Sequence, residues 1–329
     1  MTRTLLTGGL VFDGTGAPPA QADVLVEGGR IIEVGPGLDG DEAVDVAGRH
    51  LLPGLFDCHT HVTLTSINLL GIVQTPFSYR FYETVQNLRA TLAAGITMVR
   101  DAAGADVVKV ATSGGVLSPT DDPRHAHFRD DELTALVTEA AAAGRWVMAH
   151  AQAADGVKAA LRAGVRSIEH GVYLDDEAIE LLLAREAWLV PTLVAPRGVL
   201  AAAEAGVPIP DASRRKAVEV AEAHADSFRR AVAAGVRVAM GTDSGVTPHG
   251  RNLAELELMA KGGMTPAQVL AATTSSAAEL LGVAGELGTL EPGKRADVVV
   301  VDGDPFELAT LPERIAAVVQ DGRLVSGHV

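Results

Sequence analysis

The sequence predicts an α/β fold in which parallel strands form a barrel, together with a small β-sandwich built from both ends of the chain. The middle of the chain repeats a unit of helix, glycine turn, apolar strand and polar loop. This alternation is typical of parallel strands joined by crossover helices, and the continuously apolar strands indicate that both faces of the sheet are covered. The two ends instead show short alternating runs separated by glycine, which predict hairpins.

The elements are predicted in chain order from these patterns. Hairpin strands in the first 50 residues lead to an apolar strand at 51–61, and a second strand follows at 95–101. The repeating units then supply helices at 130–143, 155–163, 175–185 and 213–234, and strands at 105–110, 146–150, 166–170, 188–194 and 238–243. A last helix opens at Thr265 and Pro266, an N-cap residue followed by proline. We expect residues 1–52 and 286–329 to form the β-sandwich domain and residues 53–285 the catalytic barrel.

Size and charge restrict the class of protein. With 329 residues, 47% of them hydrophobic, the chain can bury one large α/β domain and an accessory domain. Its 42 acidic and 27 basic residues give a net charge of -15, which argues against nucleic acid or an anionic membrane as partner. We find no signal-peptide pattern and no apolar run of ~18 residues. A cytoplasmic enzyme acting on a small molecule is therefore expected, with a homo-oligomer left open.

The apolar strand at 51–61 ends in two histidines, His59 and His61, one residue apart. Side chains at i and i+2 leave the same face of a strand, so both imidazoles point to one place and suit one metal ion. Histidines at a strand end are also ordinary polar residues. The single cysteine, Cys58, points to the other face, and we interpret it as core packing rather than a reactive thiol.

Four further apolar strands end in side chains that can bind metal. In a parallel barrel the carboxyl ends of the strands surround one mouth, where active sites are built. Together with the two histidines, the sequence therefore predicts six converging ligands, the additional four being Lys109, His150, His170 and Asp243.

Motifs spread along nearly the whole chain resemble those of the amidohydrolase superfamily, in its imidazolonepropionase-like and prolidase-like two-metal branch. They are Pro53-Gly54-Leu55-Phe56-Asp57-Cys58-His59-Thr60-His61, Lys109-Val110-Ala111-Thr112-Ser113-Gly114-Gly115, Ala149-His150-Ala151, Ile168-Glu169-His170-Gly171, Gly241-Thr242-Asp243-Ser244-Gly245 and the segment from Gly288 to Asp297. The resemblance implies a distorted (β/α)8 TIM barrel plus a β-sandwich.

The resemblance also implies a role for each ligand. His59 and His61 would bind one divalent ion and His150 and His170 the other, both of them Zn²⁺, with a carboxylated Lys109 as bridge. Asp243 would bind metal and act as general base and acid towards the attacking water. A lysine buried among alanine and valine independently favours this chemistry, because desolvation lowers its pKa and makes a neutral amine available to CO₂. The alternative is a lysine that extends its charge to the barrel mouth.

This ligand set predicts a metal-dependent hydrolase of a C–N amide bond, in a dipeptide or an N-acyl amino acid. Alternatives on the same scaffold are a cyclic amidine or lactone hydrolase and a deaminase. An inactive binding protein is the alternative of another class.

Three residues near the ligands are candidates for contact with the substrate. Tyr173 could act in catalysis or binding by donating to a carbonyl oxygen or a carboxylate, or could simply pack against the next helix. His249 lies in the loop just after Asp243, and Arg251 could hold a carboxylate by two hydrogen bonds.

One βα unit is missing between strands two and four of the predicted barrel. Only Ala102-Ala103-Gly104 separates the strand at 95–101 from that at 105–110, whereas a parallel crossover needs about a dozen residues or more. Three residues span about 10 Å, and the return along a strand is roughly 17 to 20 Å. The sequence therefore predicts either a gap between Gly104 and Ala105, with segments of a longer chain joined there, or an open barrel of seven strands.

Overall fold

The computed structural model describes residues 2–102 and 106–328. Its strands are β1 (Arg3–Val11), β2 (Ala20–Glu27), β3 (Arg30–Gly35), β4 (Glu42–Asp45), β5 (Arg49–Pro53), β6 (Leu55–Thr60), β7 (Ile96–Asp101), β8 (Val107–Ala111), β9 (Trp146–Ala151), β10 (Ser167–His170), β11 (Trp188–Val190), β12 (Arg237–Val238), β13 (Val298–Asp302), β14 (Ile315–Gln320) and β15 (Arg323–Gly327).

A 3₁₀ turn, Leu311–Glu313, precedes β14, and the α-helices occur between β6 and β13. These helices are α1 (Leu69–Gln74), α2 (Phe77–Ala93), α3 (Asp130–Ala142), α4 (Ala154–Ala163), α5 (Asp176–Ala184), α6 (Val194–Glu204), α7 (Asp211–Ala234), α8 (Ala254–Lys261), α9 (Pro266–Ala272) and α10 (Ser275–Leu281). No helix in the described part of the chain is both long enough and apolar enough to cross a bilayer.

Strands from the two ends of the chain share one sheet. Its order is β15-β14-β13-β5-β1-β2-β3, and β4 pairs with β1. β13 is buried on both faces because alternate side chains enter different cores: Val298 and Val300 pack among the terminal strands, whereas Val299 and Val301 pack against the central core. The two ends thus come together as expected, while the domain boundaries at 52 and 286 remain a prediction.

The central strands are parallel, as the alternation of helices and strands predicts. One sheet has the order β12-β11-β10-β9-β8, and β6 pairs with β7 in a second. The chain after β12 connects the two, since Cys58 N donates to Met240 O at 2.9 Å and Asp243 N donates to His59 O at 2.7 Å. Cys58 itself is fully buried in an apolar cluster with Phe56 and Val190, so its predicted packing role is confirmed.

Glycines end several of the crossover helices and turn the chain back towards the sheet. Gly164 and Gly235 close α4 and α7 with φ of 95° and 85°, the left-handed conformation that a side chain disfavours. On α4, Val157, Ala160 and Leu161 are buried towards the sheet. Because every crossover returns to the same edge, the carboxyl ends of the strands lie together.

A cleft separates β7 from β8. Within residues 2–102 and 106–328 these two strands pair with other neighbours but not with each other. A cavity of about 510 Å³ lies there, lined in part by Arg100, Asp101, Val107 and Trp146. The structure therefore shows an α/β fold with no closed barrel in its described part. The predicted break at Gly104 falls on residues 103–105, which lie outside the described residues, so the missing unit remains a prediction.

Candidate metal centre

His59, His61 and Asp243 form a compact group of metal-competent side chains. Their ligand atoms all lie within 4.8 Å of one another. Asp243 Oδ1 is 3.4 Å from His59 Nε2 and 3.2 Å from His61 Nε2. Two imidazole nitrogens and one carboxylate are a donor set that suits Zn²⁺ and related divalent ions. The residues present therefore fit one such ion.

The other three predicted ligands adjoin this group. Lys109 Nζ is 3.3 Å from His59 Nε2. The ring of His170 lies between those of His59 and His150, with centroid distances of 5.3 and 4.4 Å. The structure thus brings all six residues to one mouth, although the close three-residue group contains only His59, His61 and Asp243.

Two of the predicted ligands have a backbone conformation that is uncommon for residues other than glycine. The φ angles are 74° at His170 and 59° at Asp243, and such conformations persist where the surroundings hold them. The carbonyl of His170 accepts a hydrogen bond from His224 Nε2 at 2.8 Å. Beside Asp243, a Cβ on Gly241 would lie 2.4 Å from Val190 Cγ1 and 3.0 Å from His59 Cβ. Glycine is required at position 241 so that the backbone there can pass close to Val190 and His59.

Glu169 orients His59 from behind. Its Oε2 lies 2.8 Å from His59 Nδ1, and its Oε1 accepts from Arg100 Nη2 at 2.7 Å. Burial opposes ionisation of Glu169, but the Arg100 charge and the His59 contact outweigh it, so its pKa is lowered. An ionised Glu169 keeps the proton on Nδ1 of His59 and leaves Nε2 as the ligand atom.

Sequence reasoning missed Glu169 and Arg100. Arg100 is almost fully buried and also donates to Ser167 Oγ at 2.9 Å and to the carbonyl of Cys58. The available signal was that Arg100 and Glu169, of opposite charge, each lie within a strand predicted to be covered on both faces. A buried charge in such a strand requires a partner.

Asp57 joins the two strands that carry the compact group. Its Oδ1 accepts from the backbone N–H groups of His59 and Thr242, both at 3.1 Å. Its Oδ2 accepts from Thr242 Oγ1 at 2.6 Å and from Asn252 Nδ2 at 2.7 Å. Burial raises the pKa of Asp57 despite these bonds. Because it touches both segments, Asp57 sets the distance between His59 and Asp243.

His170 is oriented by Thr192, whose Oγ1 lies 2.7 Å from His170 Nδ1. Glu255 holds the next turn by accepting the N–H groups of Leu193 and Val194, both at 2.8 Å. Burial raises the pKa of Glu255 to about 8. Since Nδ1 is occupied by Thr192, Nε2 is the nitrogen of His170 that is available at the mouth.

Charge and burial favour the deprotonated form of Asp243, His150 and His170. Burial alone would raise the pKa of Asp243, but His59 and His61 hold it well below its usual range. Burial, aided by the Lys109 charge, lowers the pKa of His150 to about 4, and burial together with His150 lowers that of His170. His59 is the exception: burial and Lys109 oppose its charge, but Asp243 and Glu169 raise its pKa. Protons therefore compete with a metal ion more strongly at His59 than at His150.

Burial also lowers the pKa of Lys109, although Asp243 and Glu169 act in the opposite direction. The side chain faces His59 at the mouth. The direction of the shift agrees with the expectation from the sequence that a neutral amine is accessible at this position.

The three predicted substrate contacts lie outside the compact group. His249 has partners for both ring nitrogens, Leu64 O at 3.0 Å and Thr91 Oγ1 at 3.4 Å. Arg251 is exposed. Tyr173 is half-buried, with the Arg124 guanidinium 4.9 Å from its ring centroid, and burial raises its pKa. Contact of these three with substrate remains a prediction.

The model of the amidohydrolase family matches residues 100–327, more than half of the chain. The chain belongs to the amidohydrolase family. The matched range includes Lys109, His150, His170 and Asp243, and the resemblance expected from the motifs is confirmed.

Similar proteins extend the match over the remaining residues. The solved structure of a Xaa-Pro dipeptidase with bound methionine in the active site aligns with a TM-score of 0.91 and 27% identity, covering 99% of this chain and 100% of that one. The ochratoxinase of Aspergillus niger is 35% identical over 229 residues, 68% of this chain. The match spans about half of that relative, 47% of its length.

A third relative is longer than this chain over the aligned range. The 5-methylthioadenosine/S-adenosylhomocysteine deaminase of Symbiobacterium thermophilum is 26% identical over an alignment of 434 residues, covering 99% of this chain and 94% of the relative. Because the chain has only 329 residues, about 100 aligned positions of that deaminase have no counterpart here.

Proposed function

We propose that this protein is a metal-dependent hydrolase that cleaves the C–N amide bond of a dipeptide or an N-acyl amino acid. The observation that carries the proposal is the compact group of His59, His61 and Asp243 with Lys109 beside it. A site of this kind would hold a divalent metal ion and a carboxylate base, Asp243, in the same small volume.

The donor set supports a divalent metal ion. One divalent ion, Zn²⁺ by the nitrogen-rich ligands, would be held by His59, His61 and Asp243. A second would draw on His150 and His170, with a carboxylated Lys109 as the bridge. When bound, such ions lower the pKa of a water molecule and polarise a carbonyl group.

The chain's own residues then handle the proton. Asp243 remains ionised in its buried position, so its carboxylate can accept a proton from the attacking water. The same carboxylate can return that proton to the nitrogen of the leaving amine. Glu169 would hold the His59 ring during this transfer, and Asp57 would hold the backbone at His59 and at Thr242 beside Asp243.

The similar proteins support this reaction class. One structural neighbour is a Xaa-Pro dipeptidase with bound methionine in the active site, and one relative with 35% identity is an ochratoxinase. A deaminase is the second candidate, because the Symbiobacterium relative aligns with 99% of the chain. Lys109, whose Nζ is 3.3 Å from His59 Nε2, supports the hydrolase as the residue that would bridge two ions. The cytoplasmic location and the oligomeric state remain predictions from the sequence.

A substrate panel tests the proposal. Protein supplied with Zn²⁺ and bicarbonate should release amino acid from N-acyl amino acids or dipeptides, and a chelator should abolish the release. Ammonia released from 5-methylthioadenosine, with no cleavage of the amides, would replace the hydrolase by the deaminase. Binding of amides with no turnover in metal-replete protein would support an inactive binding protein instead.

A further inference from the structure

The mouth of the metal centre continues into an apolar cavity of about 150 Å³. His150, His170 and Asp243 line its metal side. Aliphatic side chains line much of the rest, among them Val116, Val172, Pro196, Val199 and Val220. Asp243 is the one carboxylate among the described residues that line it, and no lysine or arginine does so.

The size of the cavity limits what it can hold. An apolar cavity of ~150 Å³ accommodates one benzene-sized group. The aliphatic walls favour an uncharged hydrocarbon group, because a charged one would lose its hydration there and, away from Asp243, no charged side chain among the described residues lines the cavity as a partner. A phenyl ring or a branched aliphatic side chain fits both conditions, and an indole would be the tightest fit.

The walls of the cavity are anchored in the fold. Val199 on α6 and Val220 on α7 are 2% and 1% exposed, and they belong to one apolar cluster. The loop that carries Val116 is tied to α7, since Ser213 Oγ donates to Leu117 O at 3.1 Å and Lys216 Nζ donates to Ser118 O at 2.8 Å. A cavity with such walls is formed before substrate arrives.

The same helix connects the cavity with the metal ligands. His224 lies one turn after Val220 on α7 and donates to the carbonyl of His170. Helix α7 therefore fixes the distance between Val220 in the apolar wall and the backbone of His170, a proposed metal ligand. A substrate whose amide lies at the metal centre places its neighbouring side chain against Val220 and Val199.

We propose that this cavity is the side-chain subsite of the enzyme and selects an apolar residue, up to the size of phenylalanine, next to the scissile amide. The inference rests on the proposed amide hydrolysis. Each buried methylene contributes ~0.8 kcal/mol, or about fourfold in binding. The kcat/KM should therefore rise on the order of 50-fold from an alanine to a leucine substrate and should fall again at tryptophan.

The test compares Val220→Phe with Val218→Phe. Val218 lies on the same helix but is 54% exposed, so it is a matched control for the added ring. The assay measures kcat/KM for N-acetyl amino acids and for X-Gly dipeptides with alanine, leucine, phenylalanine or tryptophan as the varied residue. In whichever series shows a side-chain preference, Val220→Phe should reduce the ratio of kcat/KM for the leucine substrate to that for the alanine substrate at least tenfold. Val218→Phe should leave this ratio unchanged.

A binding measurement separates this inference from the proposed reaction. Titration calorimetry of metal-replete protein with free phenylalanine, leucine, alanine and glycine should show tighter binding of the apolar amino acids, lost in Val220→Phe. Hydrolysis without side-chain preference in either series would overturn the subsite and leave the hydrolase. Selective binding without hydrolysis would overturn the reaction and leave the subsite. If Val220→Phe does not fold, Val220→Ala should enlarge the cavity and raise tryptophan turnover relative to phenylalanine, and an unchanged ratio would overturn the subsite.

Discussion

The buried pair of Arg100 and Glu169 is predicted to stabilise both the fold and the metal centre. Arg100 Nη2 and Glu169 Oε1 are 2.7 Å apart, and the side chains are 5% and 0% exposed. Removing one partner leaves the other charge buried without compensation, which typically costs ~3–5 kcal/mol. We therefore expect Arg100→Met and Glu169→Gln each to lower the free energy of unfolding by about that amount.

The double variant should lose much less than the sum of the single losses. Once Arg100 is gone, Glu169→Gln no longer leaves a buried cation unpaired, so the two changes should couple by at least ~2 kcal/mol. Glu169→Gln should also lower Zn²⁺ affinity by about 10- to 100-fold, because the partner of His59 Nδ1 loses its charge. Urea unfolding of all four proteins measures the coupling, and competition with a chelator measures the affinity.

A surface pair provides the control for this cycle. Lys261 Nζ and Glu257 Oε1 are separated by one helical turn on α8, and their side chains are 64% and 44% exposed. The corresponding cycle should give at most ~0.5 kcal/mol. Additive effects of Arg100→Met and Glu169→Gln, with unchanged Zn²⁺ affinity in Glu169→Gln, would refute the reasoning.

Three further predictions concern the ligands and a buried histidine. Elemental analysis of protein purified with zinc and bicarbonate should give close to two metals per chain. Lys109→Ala should lose at least one of them and Lys261→Ala none, whereas one metal unaffected by Lys109→Ala would contradict the bridge. Asp243→Asn should lower kcat by ~10² or more while most metal stays bound, and near wild-type turnover would remove Asp243 from proton transfer. Burial lowers the pKa of His224 from 6.5 to about 4, so its contribution to stability is complete above pH 6.5 and is lost as the pH falls towards 4, by ~2 kcal/mol at pH 5. His224→Gln should abolish this part of the pH dependence in urea unfolding and exposed His125→Gln should not; equal pH dependence in wild type and His224→Gln would contradict it.

The candidate ligands could be predicted because their positions follow from local rules. His59 and His61 share a face through the two-residue period of a strand, and His150, His170 and Asp243 follow apolar strands whose ends must meet in a parallel sheet. These rules need no knowledge of the contacts between elements. The same holds for the glycines that end α4 and α7, since a left-handed residue after a helix is a local requirement.

The residues that orient the ligands could not be assigned in the same way. Glu169 contacts His59 across 110 residues of sequence and Arg100 across 69, and Asn252 reaches Asp57 across 195. A buried charge in the sequence indicates that a partner exists but not which residue it is. The volume of the cavity beside the metal centre likewise depends on how α6 and α7 pack over the mouth.

The sequence by itself determined the α/β class and which six candidate side chains meet at the ends of the strands, because hydrophobic period and chain connectivity are properties of neighbouring residues. Only the tertiary structure decided which imidazole nitrogen faces the mouth, which carboxylates remain ionised and how large the cavity beside the metal centre is. Those outcomes depend on burial and on partners distant in the chain, and both arise only when the elements pack.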